Sequence, residues 1–273
     1  MDLLTGKEVA NKIKENILKD MEILKEKKKV LPHLALFSMG KDEASLVYVR
    51  KIEQNCKKYG INISIFFAKT EEEFITRFFE VKEDDKYTSI MFAEPLTKKC
   101  KDLINEIPKA KDVEGVTDAN MGNLFLNGEN NMTPCTSRAV IEILDYYNIN
   151  LKGKKVIIVG RSNIVGKPLI PQLLKRDATV TICHSKTENL DRELQVADVI
   201  IMAIGKPNFL KEDMIKKDSI LIDVGINVVD NKIVGDIDFE SVKSKAKAIT
   251  PVPGGIGIVT NALLINNIVN SVK

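Results

Sequence analysis

The residues with the clearest chemical meaning are Gly160-Arg161-Ser162-Asn163-Ile164-Val165-Gly166, which follow the apolar run 156–159. A strand that turns at a glycine and re-enters a helix presents unpaired backbone N–H groups and the positive end of a helix dipole, which suits a pyrophosphate. The spacing is G-x-S-x-x-x-G, not the commoner G-x-G-x-x-G, so the signal comes from its place at the head of a strand–turn–helix unit. The next strand, 179–183, runs into His184, Ser185, Lys186 and Thr187, and no carboxylate occurs before Glu188. An NAD site would place an acidic residue there for the ribose 2′-OH. Hydroxyl and cationic side chains suit a 2′-phosphate instead, and Arg161 can clamp the same group with its planar fork. NADP is therefore expected over NAD.

Other candidate residues say less by themselves. Tyr48 reads as a boundary tyrosine on an amphipathic helix and Glu114 as a solvated loop carboxylate. Cys56, Cys100, Cys135 and Cys183 are scattered without a CxxC pair. That disfavours zinc and fits reduced, mostly buried thiols in an intracellular protein. With two histidines in the chain, His33 and His184, no histidine-rich metal site is expected. The 273 residues, 44% of them apolar, allow two modest domains or one large one. A net charge of +3 gives no support to a nucleic-acid or membrane partner, and the lysine run near Lys25 reads as a solvated helix end. Tryptophan is absent, which disfavours base-stacking platforms. No apolar run approaches the ~20 residues of a membrane span, and the N-terminus has no apolar signal core. A cytoplasmic location is expected.

The elements that must position these residues alternate along the chain. An apolar helical stripe covers 6–28, followed by a buried strand ending at Gly40, a helix from Ala44 to Gly60, a strand over 61–68, a helix over 71–82 and a strand breaking at Pro95. This βαβ succession implies a mainly parallel sheet. After a helix over 134–147 a second set begins: strands near 154–160, 178–185, 199–205 and 219–226, with helices near 167–176 and 190–197 between them. They describe a doubly wound nucleotide-binding domain. The apolar tail from Gly257 reads as a helix returning to the first domain. The expected fold is α/β and two-lobed. Its N-terminal domain spans 1–118, completed by 256–273, and a Rossmann-type domain spans 119–255.

GRSNIVGKP, CHSKT, IGKPNF, IDVGIN, VGDIDF and TPVPGGIG occur in this order, with ASLVYV, KDVEG and PCT before them. Together they resemble the bifunctional methylenetetrahydrofolate dehydrogenase/methenyltetrahydrofolate cyclohydrolase family over nearly the whole chain. The resemblance implies NADP, a reduced folate as substrate, a role in one-carbon metabolism and purine biosynthesis, and a homodimer. It implies cofactor contacts at Gly160, Arg161, Ser162, Ile164, Val165, Gly166, His184, Ser185, Lys186, Gly205, Gly225, Ile226 and Thr260. Folate contacts are implied at Tyr48, Pro95, Leu96, Glu114, Gly254 and Gly255, with Tyr48 and Glu114 in the catalytic set.

Four family positions differ. In the Tyr-x-x-x-Lys motif Tyr48 is followed four residues later by Ile52, and Lys51 is turned ~100° away on a helix of 3.6 residues per turn. Lys51 is the nearest cationic substitute. The glutamine of Gln-Leu-Pro-Leu-Pro is Ala93, the second aspartate of Asp-Val-Asp-Gly is Glu114, and a proline of the C-terminal glycine loop is Ile258. Hydride transfer needs alignment more than acid or base catalysis. Ring opening by water needs proton transfer, where a placed group contributes about 10²–10⁴-fold. The expectation is an active dehydrogenase with weakened cyclohydrolase activity. The competing readings are a fully bifunctional enzyme, a non-catalytic folate- or nucleotide-binding relative, and a shikimate-type dehydrogenase, which KDVEG and PVPGGIG disfavour.

Overall fold

Alternating apolar strands and amphipathic helices set the architecture, seen here in a computed structural model. It describes residues 1–27, 29–40, 43–127 and 132–273, apart from the side chains of 43–45. Lys28, within the lysine run, lies outside the described residues. The first half holds β1 (Asp2–Leu3), α1 (Gly6–Glu26), β2 (His33–Met39), α2 (Glu43–Tyr59), β3 (Asn62–Ala68), α3 (Glu71–Lys82), β4 (Ser89–Ala93), α4 (Lys98–Asp102) and α5 (Asp118–Asn127). The second holds α6 (Cys135–Tyr146), β5 (Lys155–Val159), α7 (Gly166–Leu174), β6 (Thr179–Cys183), α8 (Leu190–Leu194), β7 (Val199–Met202), β8 (Ile220–Asp223), β9 (Asn227–Val229), β10 (Lys232–Val234), α9 (Phe239–Val242), β11 (Ala248–Ile249) and α10 (Ile256–Asn270).

Two compact units result. One comprises Ile13–Gly122 with Leu264–Lys273 and carries a three-stranded sheet, β3-β2-β4. Its strands are parallel, and the right-handed crossovers that parallel strands adopt put α2 and α3 on opposite faces, since β3 and β4 flank β2 on its two sides. α3 forms where the pattern 71–82 predicts it. Thr70 caps its N-terminus by accepting from the Glu73 N–H at 3.1 Å, and three glutamates in the first turn complement the dipole. Its buried Phe74 and Phe78 pack on Phe37 and Phe92 of the sheet. The end of α10 completes this unit: Asn267 Nδ2 donates to the Val113 carbonyl at 2.8 Å, and the Ser271 and Ser89 hydroxyls share a hydrogen bond.

The other unit comprises Met1–Lys12 with Asn123–Leu263. Its parallel sheet has the order β1-β11-β8-β7-β5-β6. The chain moves outward from β5 to β6, then crosses back to β7 on the other side of β5. The topological switch point therefore lies between β5 and β7, where doubly wound sheets bind ligands at the carboxyl ends of their strands. The sequence assigned residues 1–118 with 256–273 to one domain, and the structure divides the chain differently. β1 pairs in parallel with β11, Asp2 opposite Ala248 and Leu3 opposite Ile249, so residues 1–12 join the six-stranded unit. α10 is divided after Leu263. Among the described residues no helix is long and apolar enough to cross a membrane.

Candidate active site

In the three-stranded unit, α2 presents Tyr48 to solvent at 40% exposure, while Ile52, one turn later, is buried at 3%. Lys51 is exposed and projects from another side of the helix. Ala93 ends β4, fully buried, directly opposite Ser38 in the ladder. The Ser38 hydroxyl is buried and has no hydrogen-bond partner among the described residues. After β4, the Glu94 carboxylate accepts from the Leu96 N–H at 2.8 Å and pairs with Lys101 at 2.9 Å, holding the turn through Pro95 and Leu96. Ile52 and Ala93, two of the positions at which the sequence departs from the motifs it resembles, are thus buried and apolar.

The loop carrying Glu114 is wrapped around a different acid. Asp112, 1% exposed, accepts from the N–H groups of Gly115 and Thr117 at 2.9 Å and from Asn120 Nδ2 at 2.8 Å. Glu114 is left half-buried with a hydrogen bond to the Phe92 backbone. Burial, then the Asp112 charge, push its carboxyl from 4.5 up to about 8, against the pull of that bond. Glu114 therefore holds a proton at neutral pH. Burial also pushes the Cys56 thiol up to about 12 and raises that of Cys183, so neither offers a thiolate nucleophile.

In the six-stranded unit, β5 feeds Gly160 at φ +127°, where a Cβ would collide with the Ala203 carbonyl. At Gly166, the first residue of α7, a Cβ would collide with the Gly160 carbonyl. Any side chain would fill the turn at both places. Ser162 Oγ accepts from the Val165 N–H at 3.2 Å, shaping the approach to the helix. Val165 is buried, whereas Arg161, Ser162 and Ile164 are exposed. After β6, the His184 N–H donates to Thr187 Oγ1 and the Lys186 N–H to His184 Nδ1, a compact turn that leaves Ser185 and Lys186 exposed. Backbone space, a helix N-terminus, exposed cations and a strand end without a carboxylate fit a phosphorylated dinucleotide. Gly205 lies in the loop after β7, and Gly225 and Ile226 in the loop after β8. Gly254 and Gly255 precede α10, the Gly254 carbonyl accepting from Gly6 at 2.8 Å. The Thr260 hydroxyl donates back to the Ile256 carbonyl of its own helix. Among the described residues no cluster of three or more His, Cys, Asp or Glu could hold a metal ion.

Comparison with known proteins agrees with this chemistry. Residues 4–114 match the catalytic domain of tetrahydrofolate dehydrogenase/cyclohydrolase, and residues 134–273 its NAD(P)-binding domain. The chain belongs to the tetrahydrofolate dehydrogenase/cyclohydrolase family. The bifunctional protein FolD of Dictyoglomus thermophilum is 43% identical over 99% of this chain and 97% of its own. The crystal structure of the bifunctional enzyme FolD from Campylobacter jejuni superposes with a TM-score of 0.94 at 40% identity, covering 100% of this chain and 98% of that one. The dehydrogenase-cyclohydrolase of Trypanosoma brucei, solved with NADP and an inhibitor, gives 0.90 at 28% identity over 98% and 96% of the two chains.

Within this family frame, the three-stranded unit carries Tyr48, Pro95, Leu96 and Glu114, and the six-stranded unit carries the predicted cofactor residues. Three features went unseen in the sequence. One is the buried Ser38 hydroxyl. The other two are Asp223 and Asp236, exposed at 3% and 0%, which bind backbone N–H groups around the loops after β7 and β8. Their signal was present: each acid stands two residues from, or directly beside, a glycine in IDVGIN and VGDIDF.

Proposed function

We propose that this chain oxidises 5,10-methylenetetrahydrofolate to 5,10-methenyltetrahydrofolate with NADP+ in one-carbon metabolism, and that its hydration of the product to 10-formyltetrahydrofolate is weak. The observation that carries this reading is an asymmetry. The glycine turn and cationic strand end are intact, while Ile52 and Ala93 make the hydrolytic positions apolar and buried. NADP+ supplies the hydride acceptor when bound. Arg161, Ser185 and Lys186 bind the 2′-phosphate, and the first N–H groups of α7 receive the pyrophosphate. Tyr48 orients the folate, and Glu114 takes the pterin amino group. The methylene C–H bond breaks with both electrons leaving as hydride, driven by the neighbouring nitrogen lone pair, so no side chain need take a proton. NADP reduction that depends on added methylenetetrahydrofolate tests the assignment; no such dependence overturns it. Arg161→Ala is expected to lower kcat/KM for NADP about tenfold, the scale of one charge-assisted contact, and to leave NAD use nearly unchanged. Equal losses with both dinucleotides would remove Arg161 from the 2′-phosphate.

The proposal extends to a homodimer located in the cytoplasm. β3 is an edge strand whose Ile63 and Ile65 are only half-buried, an edge suited to pairing with a second copy. Sedimentation at micromolar concentration is expected to give twice the chain mass, and a monomer would refute it.

A further inference from the structure

The segments 203–206 and 224–226, which leave β7 and β8, contain no regular element, yet they carry Gly205, Gly225 and Ile226. What holds them is a pair of buried carboxylates. Asp236 Oδ2 accepts from the Ile204 and Gly205 N–H groups at 2.7 and 3.0 Å. Its Oδ1 accepts from the Lys206 N–H at 2.8 Å and from Asn227 Nδ2 at 3.0 Å. Three successive backbone N–H groups converging on one anion form a nest, here filled by the protein's own side chain. Asp236 is placed in turn by Asp223, whose Oδ1 accepts from the Gly225 and Asp236 N–H groups at 3.0 and 2.9 Å, and whose Oδ2 accepts from Ile237 at 2.9 Å. Thr250 Oγ1 accepts from the Asp223 N–H at 2.7 Å and ties the set to the strand end at β11.

The two motif glycines make this packing possible. A Cβ on Gly225 would collide with the Asp236 carboxylate, and one on Gly235 with the Asp223 carboxylate. Neither acid leans on a cationic side chain in these bonds; backbone dipoles carry them. Burial accordingly pushes Asp223 up to about 6, the mark of an acid kept in the interior for what it binds. The nest also lies at the switch point. The loop after β7 starts at Ala203, whose carbonyl closes against Gly160, so the loop that Asp236 gathers forms the wall facing the glycine turn.

We propose that Asp236 is a positioning residue for the dinucleotide: by fixing the loops after β7 and β8 against the glycine turn, it sets the affinity for NADP and not the rate of hydride transfer. The proposal rests on the cofactor assignment above. Asp236→Asn keeps the shape but turns an NH₂ toward N–H donors, so the nest must open. The expected result is a rise of about tenfold or more in Kd and KM for NADP, the scale of lost bonds to a charged acceptor. kcat at saturating NADP and KM for methylenetetrahydrofolate stay within about threefold, as removal of uniform binding requires. Amide exchange at 204–206 speeds up. Gly235→Ala, which displaces Asp223, reproduces the NADP effect. If Asp236→Asn does not fold, Asn227→Ala removes a single donor and is expected to weaken NADP binding a few-fold with kcat kept. A purely structural role would lower the melting temperature and leave the NADP Kd of the folded protein unchanged, and that result in either folded variant overturns the proposal. A wild-type protein that binds no NADP overturns the cofactor assignment instead, and shows this before any variant is made.

Discussion

Ile52→Lys combined with Ala93→Gln is expected to raise hydrolysis of methenyltetrahydrofolate by about 10²-fold or more, the range of a placed proton-transfer group. Ile52 faces inward from α2, which packs against β3 and β4, and Ala93 ends β4, so both positions line the α2 side of one sheet. Lysine's long stem can follow the path of the isoleucine and carry its ammonium further. A glutamine at 93 supplies a carbonyl partner, without which a buried ammonium pays a large desolvation cost. The two changes are therefore expected to be non-additive, each alone giving much less than the pair. Dehydrogenase turnover is expected to stay within about threefold, because hydride transfer uses neither group. Wild-type hydrolysis already as fast as NADP reduction would defeat the reading of Ile52 and Ala93.

Above about pH 8, where its carboxylate is charged, Glu114→Gln is expected to raise KM for methylenetetrahydrofolate up to about 10²-fold, the upper range for a hydrogen bond to a charged group, and to abolish a pH dependence present in the wild type. With its carboxyl at about 8, Glu114 is neutral below that pH and becomes a full acceptor for the pterin amino group only above it. Wild-type KM is therefore expected to fall as pH rises through about 8, with kcat little changed. Stability follows the opposite course. Between 4.5 and about 8 the folded chain keeps a proton that the unfolded chain releases, so this group's contribution to stability declines across that window as pH rises. Melting temperatures of wild type and variant are expected to converge at the acid end and separate toward pH 8, with the variant the more stable there. Parallel pH profiles for the two proteins would show that Glu114 does not titrate in this way.

Much of this was legible locally. α3 begins and ends where the pattern over 71–82 placed it, and the glycine turn, the strand end at His184 and the Tyr48–Ile52 relation follow from order along the chain. What escaped notice depends on distant partners. β1 is two residues long and has no pattern of its own; it becomes a strand because β11, some 246 positions later, lies beside it. The hairpin of β9 and β10 turns at Asp230 and Asn231, both left-handed, an Asx signal passed over within an apolar stretch. Asp236 looks like any loop acid, since the N–H groups it holds stand 30 to 32 residues before it. Ser38 reads as one polar residue in an apolar strand, and only the ladder shows it facing Ala93.

The pairing of β1 with β11 has a consequence for how the protein is made. A ribosome releases Asp2 and Leu3 at the outset, but their neighbours at Ala248 and Ile249 emerge only near the end of synthesis. The other unit waits as well, since Asn267 and Ser271 secure Val113 and Ser89. Neither half of the nascent polypeptide can therefore complete its own set of contacts alone, and severing the gene between Gly122 and Asn123 would leave each fragment without one segment of its unit.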